Sequence, residues 1–181
     1  MRITNTYESS NDGTTLVGCA DGRSFMVDTS DILLVAQYQW WIDRNGYVKS
    51  KVNNHQLLIS RFLLGVYEKS GSVFVDHISG DTLDNRRRNL RICQPSENIK
   101  NRKLNANNKT GYKGVSLHRK LRKYRADIRA GGGKTIYLGV YDSPEEAAAA
   151  YDRAASLHHG QFARTNAQIQ GDPRNDNSQA L

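Results

Sequence analysis

Residues 73–103 read VFVDHISGDTLDNRRRNLRICQPSENIKNRK, and their pattern predicts the fold of the middle of the chain. The apolar run VFV ends in Asp76 and His77, which indicates a short strand that stops where a polar, Gly- and Asp-rich loop begins. The run NLRIC, from Asn89, predicts a second strand. A segment of helical character then carries Asn98. These residues are therefore predicted to form a strand–loop–strand–helix unit.

The polar residues of this unit suit phosphodiester hydrolysis, which needs an activated water and positive charge at the phosphate. Mg²⁺ or Mn²⁺ takes oxygen ligands and keeps several waters, so the Asp76 carboxylate and the Asn98 amide oxygen are candidate ligands. His77 is the candidate general base, a role typically worth about 10²–10⁴-fold in rate. Asn89 is a candidate for holding the loop and the imidazole. Alternatively, Asp76 and His77 are turn residues and the Asn residues are caps; their joint presence favours catalysis.

The segment resembles the HNH nuclease motif in its His-Asn-Asn form, known from phage and intron-encoded homing endonucleases. His77, eleven intervening residues, Asn89, eight more and then Asn98 match that spacing, and DHISGDTLDNRRRNLR is close to the family's wording. The resemblance implies a ββα-metal unit with one divalent cation held by Asp76 and Asn98. It also implies that His77 is the general base and that Asn89 orients it. Asn85 and Asn101 are expected to support these residues from behind or to lie on the surface of the helix.

The net charge of +8 is concentrated in one part of the chain. Residues 109–137 carry nine Lys/Arg against one Asp/Glu, whereas residues 1–72 carry seven of each. A patch of this kind favours a polyanionic partner, here double-stranded DNA, over charge that serves only solubility. Arg86, Arg87, Arg88 and Arg102 are predicted to contact phosphates.

Residues 111–166 predict three strands and a helix. The runs YKGVSLH, YRADIRA and TIYLGVY are strand-like, and Gly131-Gly132-Gly133 marks a turn between the last two. Ser143 and Pro144 predict the start of the helix over the Ala-rich run that follows. Strand alternation predicts a sheet with one exposed basic face and one apolar face, the latter formed by these residues: Tyr124, Ala126, Ile128, Ile136, Leu138 and Val140.

This segment resembles the APETALA2 or ethylene-response-factor DNA-binding domain, through GYKGV, YRADIRA and YLGVYDSPEEAAAAYDRAA. The resemblance implies that the sheet lies in the major groove, where alternate strand residues contact DNA. Ser116 and Thr135 stand where that family usually has Arg, and Tyr137 where it has Trp, so plant target sequences are not implied. Carried onto this chain, the DNA-binding residues are Lys113, Ser116, His118, Asp127, Arg129, Thr135 and Tyr137. Phosphate contacts are expected from five further cations: Arg119, Lys120, Arg122, Lys123 and Arg125.

The fold class predicted for the whole chain is α+β. Residues 1–103 combine a β-hairpin-rich segment, with turns at Asp21-Gly22 and Asn45-Gly46, and the nuclease unit. A linker is predicted at 104–110, the DNA-binding domain at 111–166, with its three-stranded antiparallel sheet packed on one helix, and a disordered tail at 167–181.

Composition excludes several other classes of protein. Cys19 and Cys93 are isolated, so a four-Cys structural zinc site is excluded and a reducing compartment is expected. No apolar run approaches the roughly 18 residues that a membrane span needs. The expected location is cytoplasmic, in the host cell if the protein is phage-encoded.

Together these patterns predict a site-directed, metal-dependent DNA endonuclease of the homing type, which nicks or cuts both strands. Nothing in the sequence indicates two-fold symmetry, so a monomer on an asymmetric site is expected. One alternative is a sequence-specific DNA-binding regulator with an inactive HNH unit. Another is a binder or nuclease of structured RNA.

Overall fold

The computed structural model describes residues 4–67, 73–95, 97, 101, 104 and 107–171 of the 181-residue chain. It is a mixed α+β structure of several small sheets and short helices, as the sequence predicted. The chain divides into two compact units, Met1–Asn98 and Ile99–Leu181, close to but slightly before the predicted linker. Among the described residues, no helix is both long enough and apolar enough to cross a membrane.

The first unit begins with a three-stranded antiparallel sheet, β1 (Thr6–Ser9), β2 (Thr14–Gly18) and β3 (Ser24–Asp28). The predicted turn between β2 and β3 is confirmed, and Gly22 adopts the positive φ of 84° that favours glycine. A 3₁₀ turn at Thr29–Asp31 then leads into the short helix α1 (Ile32–Val35).

A second antiparallel sheet follows, formed by β4 (Trp41–Ile42), β5 (Val48–Val52) and β6 (His55–Leu58). Strand β6 runs directly into helix α2 (Ile59–Leu63). The first two sheets share one core, to which the segment 73–103 also contributes Leu90. Its buried members include Val17, Phe25, Val27, Trp40, Ile42, Val48, Ile59 and Leu63.

The two strands predicted within residues 73–103 are confirmed as β7 (Phe74–His77) and β8 (Leu90–Cys93). They pair antiparallel, with Asp76 opposite Arg91 and His77 opposite Leu90. A 3₁₀ turn at Arg87–Asn89 precedes β8. Asn98 and Arg102 lie outside the described residues, so the helix of the ββα unit stays a prediction.

The second unit contains the antiparallel sheet β9 (Val115–His118), β10 (Lys123–Arg129) and β11 (Thr135–Tyr141), in the order β11-β10-β9. Helix α3 (Pro144–His159) packs its alanines against one face of this sheet. The predicted N-cap is confirmed, since the Ser143 side chain accepts a hydrogen bond from the Glu146 amide at 3.2 Å. The prediction of three strands packed on one helix is therefore correct.

One strand residue was assigned to the wrong face. A β-bulge shifts the register so that Ala126 pairs with Gly139 and Asp127 pairs with Tyr137, which leaves Leu138 as the extra residue. Val140 consequently pairs with Arg125 on the exposed face instead of joining the apolar one. The error arose because simple alternation cannot anticipate a bulge.

The prediction of disorder from residue 167 was also wrong for its first residues. Asn166–Gln170 form a helical turn, α4, whose N-cap Thr165 makes a complete capping box with Gln168. Asn166 and Ile169 are buried in it. Residues 172–181 lie outside the described part of the chain.

Candidate functional site

The candidate active site lies where β7 ends. Asp76 and His77 are both buried, with 7% and 6% of their surface exposed. The chain turns immediately after them: the Gly80 amide donates to the His77 carbonyl, and the Ile78 amide donates to the Asn89 carbonyl, each at 2.8 Å. This tight turn puts a carboxylate and an imidazole next to the polar loop.

Asp76 forms an ion pair with Arg91 across the two strands. Arg91 donates from Nε at 2.9 Å and from Nη2 at 2.5 Å, both to Oδ2 of Asp76. Only 12% of the Arg91 side chain and 8% of the Asp76 side chain are exposed. Arg91 was not among the predicted site residues, because its pairing with Asp76 depends on the strand register and not on any spacing along the chain.

Asn85 makes a hydrogen bond with the imidazole of His77. Its Oδ1 lies 3.1 Å from Nε2 of His77, and its Nδ2 donates to the Thr82 carbonyl at 3.1 Å. An amide oxygen can only accept, so Nε2 carries the proton and, in the neutral ring, Nδ1 keeps its lone pair. This contact agrees with the expectation that Asn85 supports the residues of the site from behind them.

His77 is adapted to act as a base. Burial lowers its pKa from the ordinary value, although the hydrogen bond that His77 donates to Asn85 and the charge of Asp76 oppose this shift. The imidazole is therefore neutral near neutral pH, as proton abstraction requires.

Asn89 binds the backbone of the loop between β7 and β8. Its Oδ1 accepts from the Ser79 amide at 2.8 Å, and its Nδ2 donates to the carbonyl oxygens of Asp84 at 2.8 Å and Asp81 at 3.4 Å. These bonds join the two ends of the loop. These bonds can orient the imidazole of His77 indirectly, because they fix the loop that carries Asn85.

The described residues include one of the two predicted oxygen ligands for a hard divalent cation. The buried Asp76 carboxylate is a suitable oxygen donor, and Mg²⁺ takes few protein ligands because phosphate and water complete its shell. Asn98, the other predicted ligand, lies outside the described ranges. Within those ranges, no three His, Cys, Asp or Glu side chains group closely enough to hold a metal ion by themselves.

The three arginines of the loop have different surroundings. Arg86 binds Asp84 with two nitrogens, at 2.7 and 2.8 Å, and Arg87 binds Asp31 at 2.8 Å. Arg88 is exposed to solvent. Arg86 and Arg87 therefore anchor the loop within the first unit, and the assignment of the three to DNA phosphates stays a prediction.

The candidate DNA interface is the face of the C-terminal sheet opposite helix α3. Cross-strand register brings most of the predicted DNA-binding residues onto this face: Ser116, His118, Lys123, Arg125, Asp127, Arg129, Thr135 and Tyr137. Arg119 follows in the exposed turn after β9. The structure thus groups residues that three separate strands contribute.

Ion pairs organise the centre of this face. Arg125 binds Asp127 with Nε and Nη2, both at 2.7 Å, and its guanidinium lies 5.2 Å from the centroid of the Tyr137 ring. Lys123 pairs with Asp142 at 2.8 Å. Asp127 therefore neutralises part of the positive charge and holds Arg125 in one orientation.

Lys113 differs from the other predicted DNA contacts, since its side chain is half-buried. Its amide donates to Asn166 Oδ1 at 2.6 Å, and its carbonyl accepts from Asn166 Nδ2 at 3.2 Å. Burial and, to a smaller extent, the charge of Arg164 lower the pKa of Lys113 to about 8, and the charge of Asp152 opposes this shift. Its role in DNA binding stays a prediction.

Comparison with known proteins finds relatives of two kinds, an HNH endonuclease and ethylene-responsive transcription factors, while no family model matches the chain. It is 28% identical over 156 residues to Uncharacterized HNH endonuclease L560 of Acanthamoeba polyphaga mimivirus, a match that covers 84% of this chain and 79% of that protein. It is also 48% identical over 59 residues to the ethylene-responsive transcription factor WRI1 of Arabidopsis thaliana. That match covers 32% of this chain and 14% of the plant protein.

A further relative is protein 3.8 of Escherichia phage T7, which is 36% identical to this chain over 91 residues. The match covers 50% of this chain and 74% of the phage protein. The chain is thus a distant homologue of an HNH endonuclease, and it belongs to the same family as protein 3.8 of phage T7.

Proposed function

We propose that this protein is a metal-dependent DNA endonuclease, in which the first unit hydrolyses a phosphodiester and the second binds the duplex. The observation that carries the proposal is the buried His77 beside the Asp76 carboxylate, with the Asn85 amide oxygen 3.1 Å from Nε2. The similarity to an HNH endonuclease over most of the chain supports the same reaction.

In the proposed reaction His77 accepts a proton from water at Nδ1 while the water oxygen forms a bond to the scissile phosphorus. The P–O bond to the leaving ester oxygen breaks, and that oxygen takes up a proton from solvent. Asp76 and Asn98 would hold one Mg²⁺ or Mn²⁺, and the chemistry that this ion would supply is positive charge at the phosphate. Asn89 maintains the loop, and Asn85 keeps the proton of the imidazole on Nε2. Burial of His77 keeps it in the neutral form that can take up a proton.

The second unit is proposed to bind double-stranded DNA through the exposed face of its sheet. Lys123, Arg125 and Arg129 are the cations of that face, and Tyr137 is 58% exposed there. Cations that contact phosphates position a protein on DNA, whereas contacts to base edges select a sequence. A homing-type enzyme of this design acts as a monomer on a long, asymmetric site.

The test is to incubate the full chain with a DNA library and Mg²⁺ and to sequence the new ends. The wild type is expected to produce ends at a defined site, and a chelator should abolish them. His77→Ala should lower cleavage by about 10²-fold or more, the usual contribution of a general base. Its affinity for the target in a gel shift should equal that of the wild type. Equal cleavage by wild type and variant would contradict the proposed role of His77.

The ion pair between Arg91 and Asp76 favours a second candidate, a DNA-binding regulator with an inactive HNH unit. Arg91 already neutralises the carboxylate that a cation needs and occupies its Oδ2 with two hydrogen bonds. The same experiment separates the two candidates. A regulator binds one site tightly and leaves no new ends with Mg²⁺ or Mn²⁺, and His77→Ala does not change its binding.

A further inference from the structure

The loop between β7 and β8 is bound to the N-terminal sheet as a short additional strand. The Met26 amide donates to the Leu83 carbonyl, and the Asn85 amide donates to the Met26 carbonyl, both at 2.8 Å. Met26 and Asp84 form a parallel bridge. Met26 lies in β3, which is an edge strand of the first sheet because β2 pairs with only one side of it. The loop pairs with the other side of β3.

Side chains also secure the loop directly after Asn85. The Arg87 amide donates to Asp28 Oδ2 at 2.7 Å, and the Arg87 guanidinium binds Asp31 at 2.8 Å. Arg86 donates to Thr14 Oγ1 at 3.2 Å. All three partners belong to the sheet or to the turn that directly follows it, so the sheet holds the loop through backbone and side chains together.

Asn85 transmits this attachment to His77. Its backbone is fixed on β3, its side chain is 1% exposed, and its amide group spans the Thr82 carbonyl and Nε2 of His77. We propose that Asn85 is the positioning residue of His77, and that the N-terminal sheet is a part of the nuclease that holds Asn85 in place. The role of His77 as a base rests on the proposed function. The tautomer of His77 depends only on its contact with Asn85 and is independent of that function.

The chemical consequence is the choice of ring nitrogen. A neutral imidazole has one N–H and one lone pair, and the partner of one nitrogen sets the state of the other. With Asn85 Oδ1 as acceptor, the proton stays on Nε2 and the lone pair on Nδ1. Without that acceptor, both tautomers become populated and a fraction of the molecules presents N–H where the reaction needs a base.

The experiment uses the full chain with ¹⁵N- and ¹³C-labelled histidine, at a pH where His77 is neutral. Ring chemical shifts report the tautomer, and His77→Gln identifies the signals among the five histidines. The wild type is expected to show the Nε2–H form. Asn85→Ala should show a mixture of tautomers, and Asn85→Asp, which retains an acceptor oxygen, should restore the Nε2–H form.

A second pair of variants tests the sheet without substituting any residue of the buried site. Arg87→Met removes the ion pair with Asp31, whereas Arg88→Met changes the exposed neighbour in the same turn. Arg87→Met is expected to shift His77 toward the tautomer mixture, and Arg88→Met to leave it as in the wild type. Asn85→Ala should also lower kcat by about 10–100-fold with KM unchanged, the usual effect of losing an outer partner of a site.

Two results would overturn the inference: a wild-type His77 that is protonated on Nδ1, or a tautomer that neither Asn85→Ala nor Arg87→Met changes. The proposed function can fail separately. A tautomer shift in a protein that never cuts DNA supports the positioning role and rejects the nuclease. Cleavage by the wild type together with an unchanged tautomer in both variants rejects the positioning role alone.

Discussion

Arg91 places two nitrogens on a single carboxylate oxygen of Asp76, at 2.9 and 2.5 Å, across the paired strands β7 and β8. The pair is almost completely buried, so neither charge is well solvated. Removing one partner of such a pair leaves an uncompensated buried charge. Arg91 is thus the direct counter-charge of the proposed metal ligand.

We expect Arg91→Met to lower the free energy of unfolding by about 3–5 kcal/mol, since the Asp76 carboxylate loses its partner. Mg²⁺ should stabilise the variant more than the wild type, because a bound cation replaces the lost charge. Thermal and chemical denaturation with and without Mg²⁺ measure both effects. Arg44→Met, at an exposed position, is the control. A stability as high as that of the wild type would show that the ion pair contributes nothing.

Arg86 and Arg88 are two residues apart but should behave differently. Arg86→Met removes a bidentate ion pair with Asp84 and should cost about 1–3 kcal/mol of stability, as for hydrogen bonds between charged groups. Arg88→Met should leave stability unchanged. If Arg88 contacts a phosphate, that variant should reduce the magnitude of the slope of log affinity against log salt by about 1. Denaturation measures the stability of each variant, and fluorescence anisotropy measures its affinity for DNA. A stability loss in Arg88→Met, with none in Arg86→Met, would refute these two roles.

Salt dependence tests the basic segment 109–137 as the DNA contact. If it neutralises around six phosphates, log affinity should fall against log salt with a slope of roughly −5. Anisotropy measured on a duplex from about 50 to 200 mM salt gives this slope. A nearly flat response is incompatible with the segment as the main contact.

Gly139 is required by the β-bulge in β11. Its φ is 128°, and an added Cβ would lie 3.0 Å from the Tyr141 hydroxyl oxygen. Gly139→Ala should therefore lower the free energy of unfolding by about 1–3 kcal/mol, the usual cost of a strained backbone position. Gly131→Ala is the control, because no atom lies within 4 Å of its added Cβ. Equal stability of the two variants would show that the bulge tolerates a side chain.

Lys113 should make stability rise with pH. Its pKa is about 8 in the folded protein, below its ordinary 10.5, so between these values the unfolded chain binds more protons. Deprotonation above pH 8 therefore removes a penalty of the folded state. From about pH 7.5 to about pH 9.5 the free energy of unfolding should rise by roughly 1–2 kcal/mol. Lys113→Met should abolish this rise, whereas an equal rise in the variant would assign it to other groups.

The predictions of local structure succeeded where one short pattern carried the information. The apolar run ending in Asp76 and His77 predicted β7, and Ser143 with Pro144 predicted the start of α3. The contact of Asn85 with His77 and the Arg91 pair were not predicted, and the face of Val140 was wrong. Each of these three depends on strand register or on where a loop docks, and a single residue of shift changes the partner.

The sequence by itself determined the types of element, the clustering of positive charge in 109–137, and the candidate base and carboxylate. These follow from alternation, caps and composition, which act between neighbours along the chain. Only the tertiary structure decided that the loop joins β3, that Asn85 contacts His77, and that Arg91 neutralises Asp76. Those contacts form only when separate strands align in one register. They are stabilised by burial, which cannot be read from a short sequence pattern.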